Sequence, residues 1–314
     1  MNKIPVGKTI AFAYSFAIGD FLNVLGVIWA PTLLVGIASY MFLPDYFHGL
    51  ANMQVAGGPD IGVVQSVARQ YFLFFVVALV LRAVTYVGVT ELALGLKHGP
   101  VLFYFSLGAS VWRLVGAFAL VFIVMIVAAV VVAIVGGIVG GVVGGVLGTV
   151  LASGNAAAAK GLVGLFVVLA FLAIYCAMIY IAVRLSFFVT PVVVAEKRIS
   201  LTRSWQLGGG NFWRIIGVSL AVVLPASIVI GILWAALLAF SGLAFPHIDA
   251  SMSEVARQHA MMSWLEQVML YAREKWILLL PVGLVAGTLM YGLVGGAMAF
   301  AYRALVPAEG AAEA

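Results

Sequence analysis

The chain has 314 residues, 65% of them hydrophobic and only 9% charged, with a mean hydropathy of +1.21. No water-soluble fold of this size has enough interior to bury that much apolar surface, so lipid must be the solvent for most of it. The net charge of +5 points to loops facing a cytoplasmic leaflet rather than to nucleic acid, and the single cysteine excludes an internal disulfide framework or a cysteine metal cluster.

From the start of the chain, Ile10, Ala13, Tyr14, Ala17, Ile18 and Phe21 recur at helical spacing behind Lys3 and Lys8. This predicts a helix lying in the membrane interface and feeding the first span. No short apolar region with a small-residue cleavage site precedes Leu22, so no cleavable signal is expected. A spanning helix needs about 20 mostly apolar residues. The runs that qualify are 22–42, 72–96, 114–135, 161–183, 215–240 and 276–302. The expected fold is all-α, a polytopic membrane bundle of six transmembrane helices arranged as three hairpins with interfacial amphipathic helices. It forms one integral membrane domain over residues 1–314.

Several features stand out along these runs. Pro31 and Pro225 fall inside spans, where each frees a carbonyl and kinks its helix. The connection 43–71 is mixed in character, with a Gly-Gly-Pro break at 57–59. The span 72–96 carries Arg82, about ten residues in, and Glu91. Arg82 lies deep enough to cost a few kcal/mol (~3) if unpaired. It reads either as a structural cation held by a neighbouring helix or as a binding group for a lipid headgroup, substrate or proton. Glu91 is about 13 Å further along the helix and a poor direct partner. After the third span, Gly136, Gly140, Gly144 and Gly148 fall every fourth residue, with Gly137, Gly141 and Gly145 in a parallel row. On a helix this is a glycine zipper, a smooth groove where a backbone of this chain or of another subunit can approach. The stretch is expected to form an outer connection; a seventh span there would invert everything downstream. Cys176 lies mid-span as a packing residue. The segment 184–214 sets Arg184, Lys197, Arg198, Arg203 and Arg214 against Glu196. That is a topology signal and also an attraction for anionic lipid heads, about 1 kcal/mol per basic residue. Residues 246–275 place Met252, Val255, Met262, Leu265, Val268 and Met269 near helical spacing, which predicts a lid lying on the outer face.

One phrase recurs before each odd-numbered span: SFAIGDFLNVLGV, YFSLGASVWRLVGA and WQLGGGNFWRIIG. The copies align on Gly19 and Gly26, Gly108 and Gly116, and Gly208 and Gly217. They divide the chain into candidate repeats at 1–98, 99–197 and 198–314. In the third copy the glycines let the backbone turn, Asn211 is placed to cap the next helix, Phe212 and Trp213 sit at headgroup depth, and Arg214 snorkels to phosphate. With six spans, ten lysines and arginines fall on one side (Lys3, Lys8, Lys97, Arg113, Arg184, Lys197, Arg198, Arg203, Arg214, Arg303) and five on the other. The termini are therefore expected to be cytoplasmic, in a bacterial inner membrane.

No motif for chemistry emerges. His48, His98, His247 and His259 are scattered, so no metal site is expected. Phosphate-cradle, nucleophile-elbow, zinc-protease and dinucleotide signatures are absent, and no cofactor or catalytic residue is assigned.

The run RLSFFVTPVVVAEKRISLTRSWQLGGGNFWRIIG has Arg184 near a span's end. Pro191, Glu196, Ser204-Trp205 and Gly210-Asn211-Phe212-Trp213 follow before the next span. In this it resembles the membrane domain found beside some glycerophosphodiester phosphodiesterases, together with the related stand-alone YciC-like membrane proteins. In the two-domain relatives a soluble barrel after the membrane part does the catalysis. This sequence ends twelve residues after Tyr302, so the resemblance implies no phosphodiesterase activity. What it implies is a role in lipid or envelope upkeep. Two readings of function stay open. One is a non-catalytic module binding anionic membrane lipid, or a partner through the glycine groove. The other is a transporter or channel for a small or lipidic solute, built on Arg82, the proline-broken spans and the outer lid.

Overall fold

In hydrocarbon every backbone N–H and C=O must be paired within the protein, and a long apolar segment can do this alone only as a helix. The computed structural model describes residues 3–55, 61–97, 103–151, 156–249 and 251–306. In chain order its helices are α1 (Val6–Gly19), α2 (Phe21–Val55), α3 (Ile61–Ala93), α4 (Ala109–Leu151), α5 (Ala156–Ser186), α6 (Val189–Glu196), α7 (Leu201–Gly208), α8 (Phe212–Phe240), α9 (Glu254–Glu274) and α10 (Trp276–Leu305). Six segments are long and apolar enough to cross a membrane: α2, α3, α4, α5 with α6, α8 and α10. They form an all-α membrane bundle of three hairpins, α2–α3, α4–α5 and α8–α10. The break at 57–59 lies outside the described residues.

Contacts between distant residues define one end of the bundle. Ile4 meets Asn211 and Arg214, Tyr302 meets Glu196, and Arg303 meets Ala93. This basic end holds the packed core. Phe188, Ile4, Ile28, Leu114 and Ile215 are fully buried there. Helices in lipid associate by close packing rather than by hydrophobic exclusion, and small residues make that possible. On α10, Gly292 and Gly296 face α1: a Cβ at Gly292 would lie 3.1 Å from the Ala17 Cα, and one at Gly296 3.2 Å from the Ala13 Cα.

The first helix packs one of its faces on protein. α1 buries Thr9, Ala13, Phe16 and Ala17 against α10 and α8, while Ile18, expected on its apolar face, is 69% exposed. α10 offers the glycine surface for this docking.

One arrangement recurs three times at this end. The segment before each hairpin packs on the second helix of another hairpin: α1 on α10, residues 103–108 on α3, and α7 on α5. In each case a basic residue at or just beyond that helix's end covers an aromatic ring of the incoming segment. Arg303 lies over Phe12 at 5.1 Å, Lys97 over Tyr104 at 3.7 Å and Arg184 over Trp205 at 3.9 Å. Cation–π contacts of this kind contribute about 0.5–2 kcal/mol each.

The opposite, distal half is open. No described residue of α4 beyond Ala117 is buried, and on α3 the consecutive residues Tyr71–Val77 are all at least partly exposed. The glycine stretch does not form a separate connection; it continues α4 as one helix to Leu151. At 43 residues this helix is about 64 Å long, twice the hydrocarbon thickness of about 30 Å. The expected lid, α9, runs along α2 with no buried residue. Contacts of Glu266 with His48 (3.2 Å) and of Arg273 with the Tyr40 ring (4.6 Å) hold it there.

Candidate functional site

Arg82 stands two-thirds of the way along α3, eleven positions before Ala93 at the basic end, a distance of about 16 Å along the helix. Tyr86, one turn on, shares its face. Both line a cavity of about 440 Å³ whose other walls are α10, with Gly283 and Tyr291, and α8, with Ile230 and Trp234. The Tyr86 ring meets Tyr291 edge-on at 5.3 Å and Phe118 of α4 at 6.1 Å, while Arg82 itself is exposed at the open side of the cleft. Among the described residues no carboxylate pairs with the guanidinium, and neither the Tyr86 nor the Tyr291 hydroxyl has a hydrogen-bond partner. Glu91, the other charge of this span, is engaged elsewhere and accepts a hydrogen bond from the Tyr104 hydroxyl at 3.2 Å. Burial, and then the Glu91 carboxylate, push the Tyr104 phenol above its usual range.

The cavity thus holds one cation and two phenol donors, facing apolar and aromatic walls. An unpaired cation at this depth costs about 3 kcal/mol, and an anion bound against it offsets that penalty. None of the described lining residues is a carboxylate, a histidine or a thiol.

The basic segment has a different use. Arg184 donates to the Tyr180 hydroxyl at 2.7 Å and to the Trp205 carbonyl at 2.9 Å while stacking on Trp205. Arg203 and Arg198 converge on Glu196, at 3.1 and 2.7 Å. Arg214 donates to the Ile4 carbonyl at 2.7 Å. Lys197 is exposed and adopts a left-handed backbone with φ of 52°. Four of these five cations hold the protein's own groups.

Asn211 sits at the N-cap position of α8 but makes no cap bond with its side chain; its Oδ1 accepts from the buried Ile4 N–H at 3.0 Å. Trp213 is 79% exposed. A Cβ at Gly208 would lie 3.1 Å from the Arg184 carbonyl oxygen, so α7 and α5 meet backbone to backbone there.

Among the described residues, only the first of the α4 glycines comes tight against a neighbouring helix. A Cβ at Gly136 would meet only Ile174, at 3.3 Å, and one at Gly140 or Gly148 would meet nothing within 4 Å. Gly144 continues the same helix. His48 pairs with Glu266, and His98 lies outside the described residues. Residues that sequence reasoning missed are Tyr86, Trp234 and Tyr291. Only the i to i+4 spacing of Arg82 and Tyr86 could have signalled one of them.

The six long apolar helices are those of a multi-pass membrane protein. Compared with known protein families, curated proteins and solved structures, the chain matches none.

Proposed function

We propose that the chain is a non-catalytic multi-pass inner-membrane protein that binds an anionic amphiphile of the membrane in the Arg82 cavity. The observation that carries this reading is the Arg82 guanidinium, which among the described residues pairs with no carboxylate, in an open cleft with two phenol hydroxyls and apolar walls. The anion meets Arg82, Tyr86 and Tyr291, and the hydrocarbon part lies along Gly283 and Trp234. A role in lipid or envelope upkeep, which the resemblance implies, is consistent with such a ligand. The basic segment serves mainly to lock the bundle, leaving lipid attraction to exposed Lys197 and to the half of Arg198 that faces water.

A hydrogen bond to a charged group contributes about 1.5–3 kcal/mol. Arg82→Gln is therefore expected to weaken retention of phosphatidylglycerol by the protein, purified and placed in mixed phosphatidylcholine–phosphatidylglycerol nanodiscs, by about tenfold or more. Native mass spectrometry of the annular and retained lipid reads the effect. An Arg82→Gln protein with undiminished preference for phosphatidylglycerol would remove the site from consideration.

A further inference from the structure

We propose that the ligand of the open Arg82 cleft is a single-chain monoanion, a fatty-acid carboxylate, rather than a two-chain phospholipid. This rests on the cleft being a site for an anionic amphiphile, and it names which kind the site takes. The first argument is charge. Among the described residues that line the cleft, Arg82 is the one charged side chain. A single negative charge balances it. A phosphate monoester or a diphosphate would leave charge uncompensated beside apolar walls, where desolvation is costly.

The second argument is the kind of polar atom on offer. The lining side chains that carry nitrogen or oxygen are Arg82, Tyr86, Tyr291 and Trp234. A guanidinium and an indole only donate, and a phenol donates readily to a carboxylate. The planar guanidinium fork also matches the two oxygens of a carboxylate. An ammonium or a set of glycerol hydroxyls, the usual decoration of a phospholipid head, finds no carboxylate or amide among these side chains to accept from it. The cleft therefore suits an anion with nothing polar attached beyond it.

The third argument is shape. Helix α10 forms the floor, and α3 and α8, each packed on α10, form the walls. From Gly283 to Val294 the floor runs eleven residues, about 16 Å. That is close to half the hydrocarbon thickness of about 30 Å, the depth one acyl chain covers. Gly283 leaves the floor bare, since a Cβ there would meet nothing within 4 Å. Polarity changes along this trough. Tyr291, in ring contact with Tyr86, stands toward the basic end, and Gly283 lies eight residues further from it. Trp234, twenty-two residues along α8 from Phe212 at the basic end, belongs to the same distal part. A carboxylate held by Arg82 and the two phenols thus lays its chain over Gly283 toward Trp234. The volume of about 440 Å³ falls in the range of about 300–1,000 Å³ that holds one small ligand. The second chain of a diacyl lipid would hang outside the walls.

Trp234 supplies the test. The protein in phosphatidylcholine nanodiscs is titrated with dibromostearate or with phosphatidylglycerol brominated on its chains, and bromine quenches an indole that it touches. The Trp234 signal is the difference between wild type and Trp234→Phe, and brominated phosphatidylcholine sets the background. Dibromostearate is expected to quench this signal at a mole fraction at least tenfold lower than brominated phosphatidylglycerol. Arg82→Gln is expected to raise the mole fraction needed about tenfold. Gly283→Leu, which fills the floor and leaves the cation in place, is expected to do the same. If Arg82→Gln fails to fold, Gly283→Leu and the comparison of the two lipids decide. Brominated phosphatidylglycerol quenching as well as dibromostearate or better, and losing that advantage in Arg82→Gln, overturns the proposal and leaves the broader site standing. Quenching by both at the background level, or quenching by dibromostearate that no variant weakens, overturns the proposal and the site together.

Discussion

The glycines of α10 and those of α4 follow the same spacing rule and end in opposite surroundings. Gly292 and Gly296 lie four apart and let α1 settle to backbone contact. Gly136 and Gly140 also lie four apart, on a helix with no buried residue beyond Ala117 among those described. Small residues permit close approach but do not summon a partner. What separates the two is the company each keeps. The α10 pair sits at the end where short segments re-enter the bundle, and the α4 row sits where the hairpin runs on alone.

Substitutions that add one or three carbons to each surface sharpen this contrast. The largest effect is expected for Gly292→Val, because the nearest atom, the Ala17 Cα, belongs to backbone and cannot turn aside. Overpacking of this sort costs about 1–3 kcal/mol, and the upper end is expected in an SDS-unfolding titration of the detergent-solubilised protein. Next comes Asn211→Ala, which strands the buried Ile4 N–H and should destabilise by about 1–3 kcal/mol in the same titration. A value near zero would show that α1 does not depend on its tie to α8. The smallest change, with the opposite sign, is expected for Gly140→Ala. Nothing stands within 4 Å of the added Cβ, and alanine stiffens the unfolded chain, so a gain of about 0.4–1 kcal/mol follows. A loss instead, together with loss of cross-linked dimer in membranes, would show that a second copy occupies the groove.

The spans were legible because hydrocarbon imposes length and apolarity together, and 276–302 and 215–240 fall within a few residues of α10 and α8. Their true extents were not. Pro44 sits inside α2, and the α4 glycines sit inside a continuous helix, because a bundle can keep a helix going where isolated propensity would end it. The helix α6 was invisible. Phe188, Val192 and Val193 look like the tail of a span, and only their complete burial sets them apart. Of the site, Arg82 was legible as a charge in an apolar run. Tyr291 was not, since the pairing of α3 with α10 joins distant parts of the chain through packing alone. The basic segment shows the same limit: composition gives the charges at 184–214, and only geometry shows that Arg203 meets Glu196 and Arg214 meets the Ile4 carbonyl.

The cyclic hand-over at the basic end bears on how the protein is made. Helix α1 leaves the ribosome long before α10, on which it docks through Ala13 and Ala17 against Gly296 and Gly292, and Arg303 of α10 also reaches back to the Ala93 carbonyl. During synthesis α1 has only its smaller contact with α8 until α10 arrives. The amino-terminal hairpin must wait in the membrane half-assembled, and a nascent chain stalled before Trp276 is a natural target for membrane quality control.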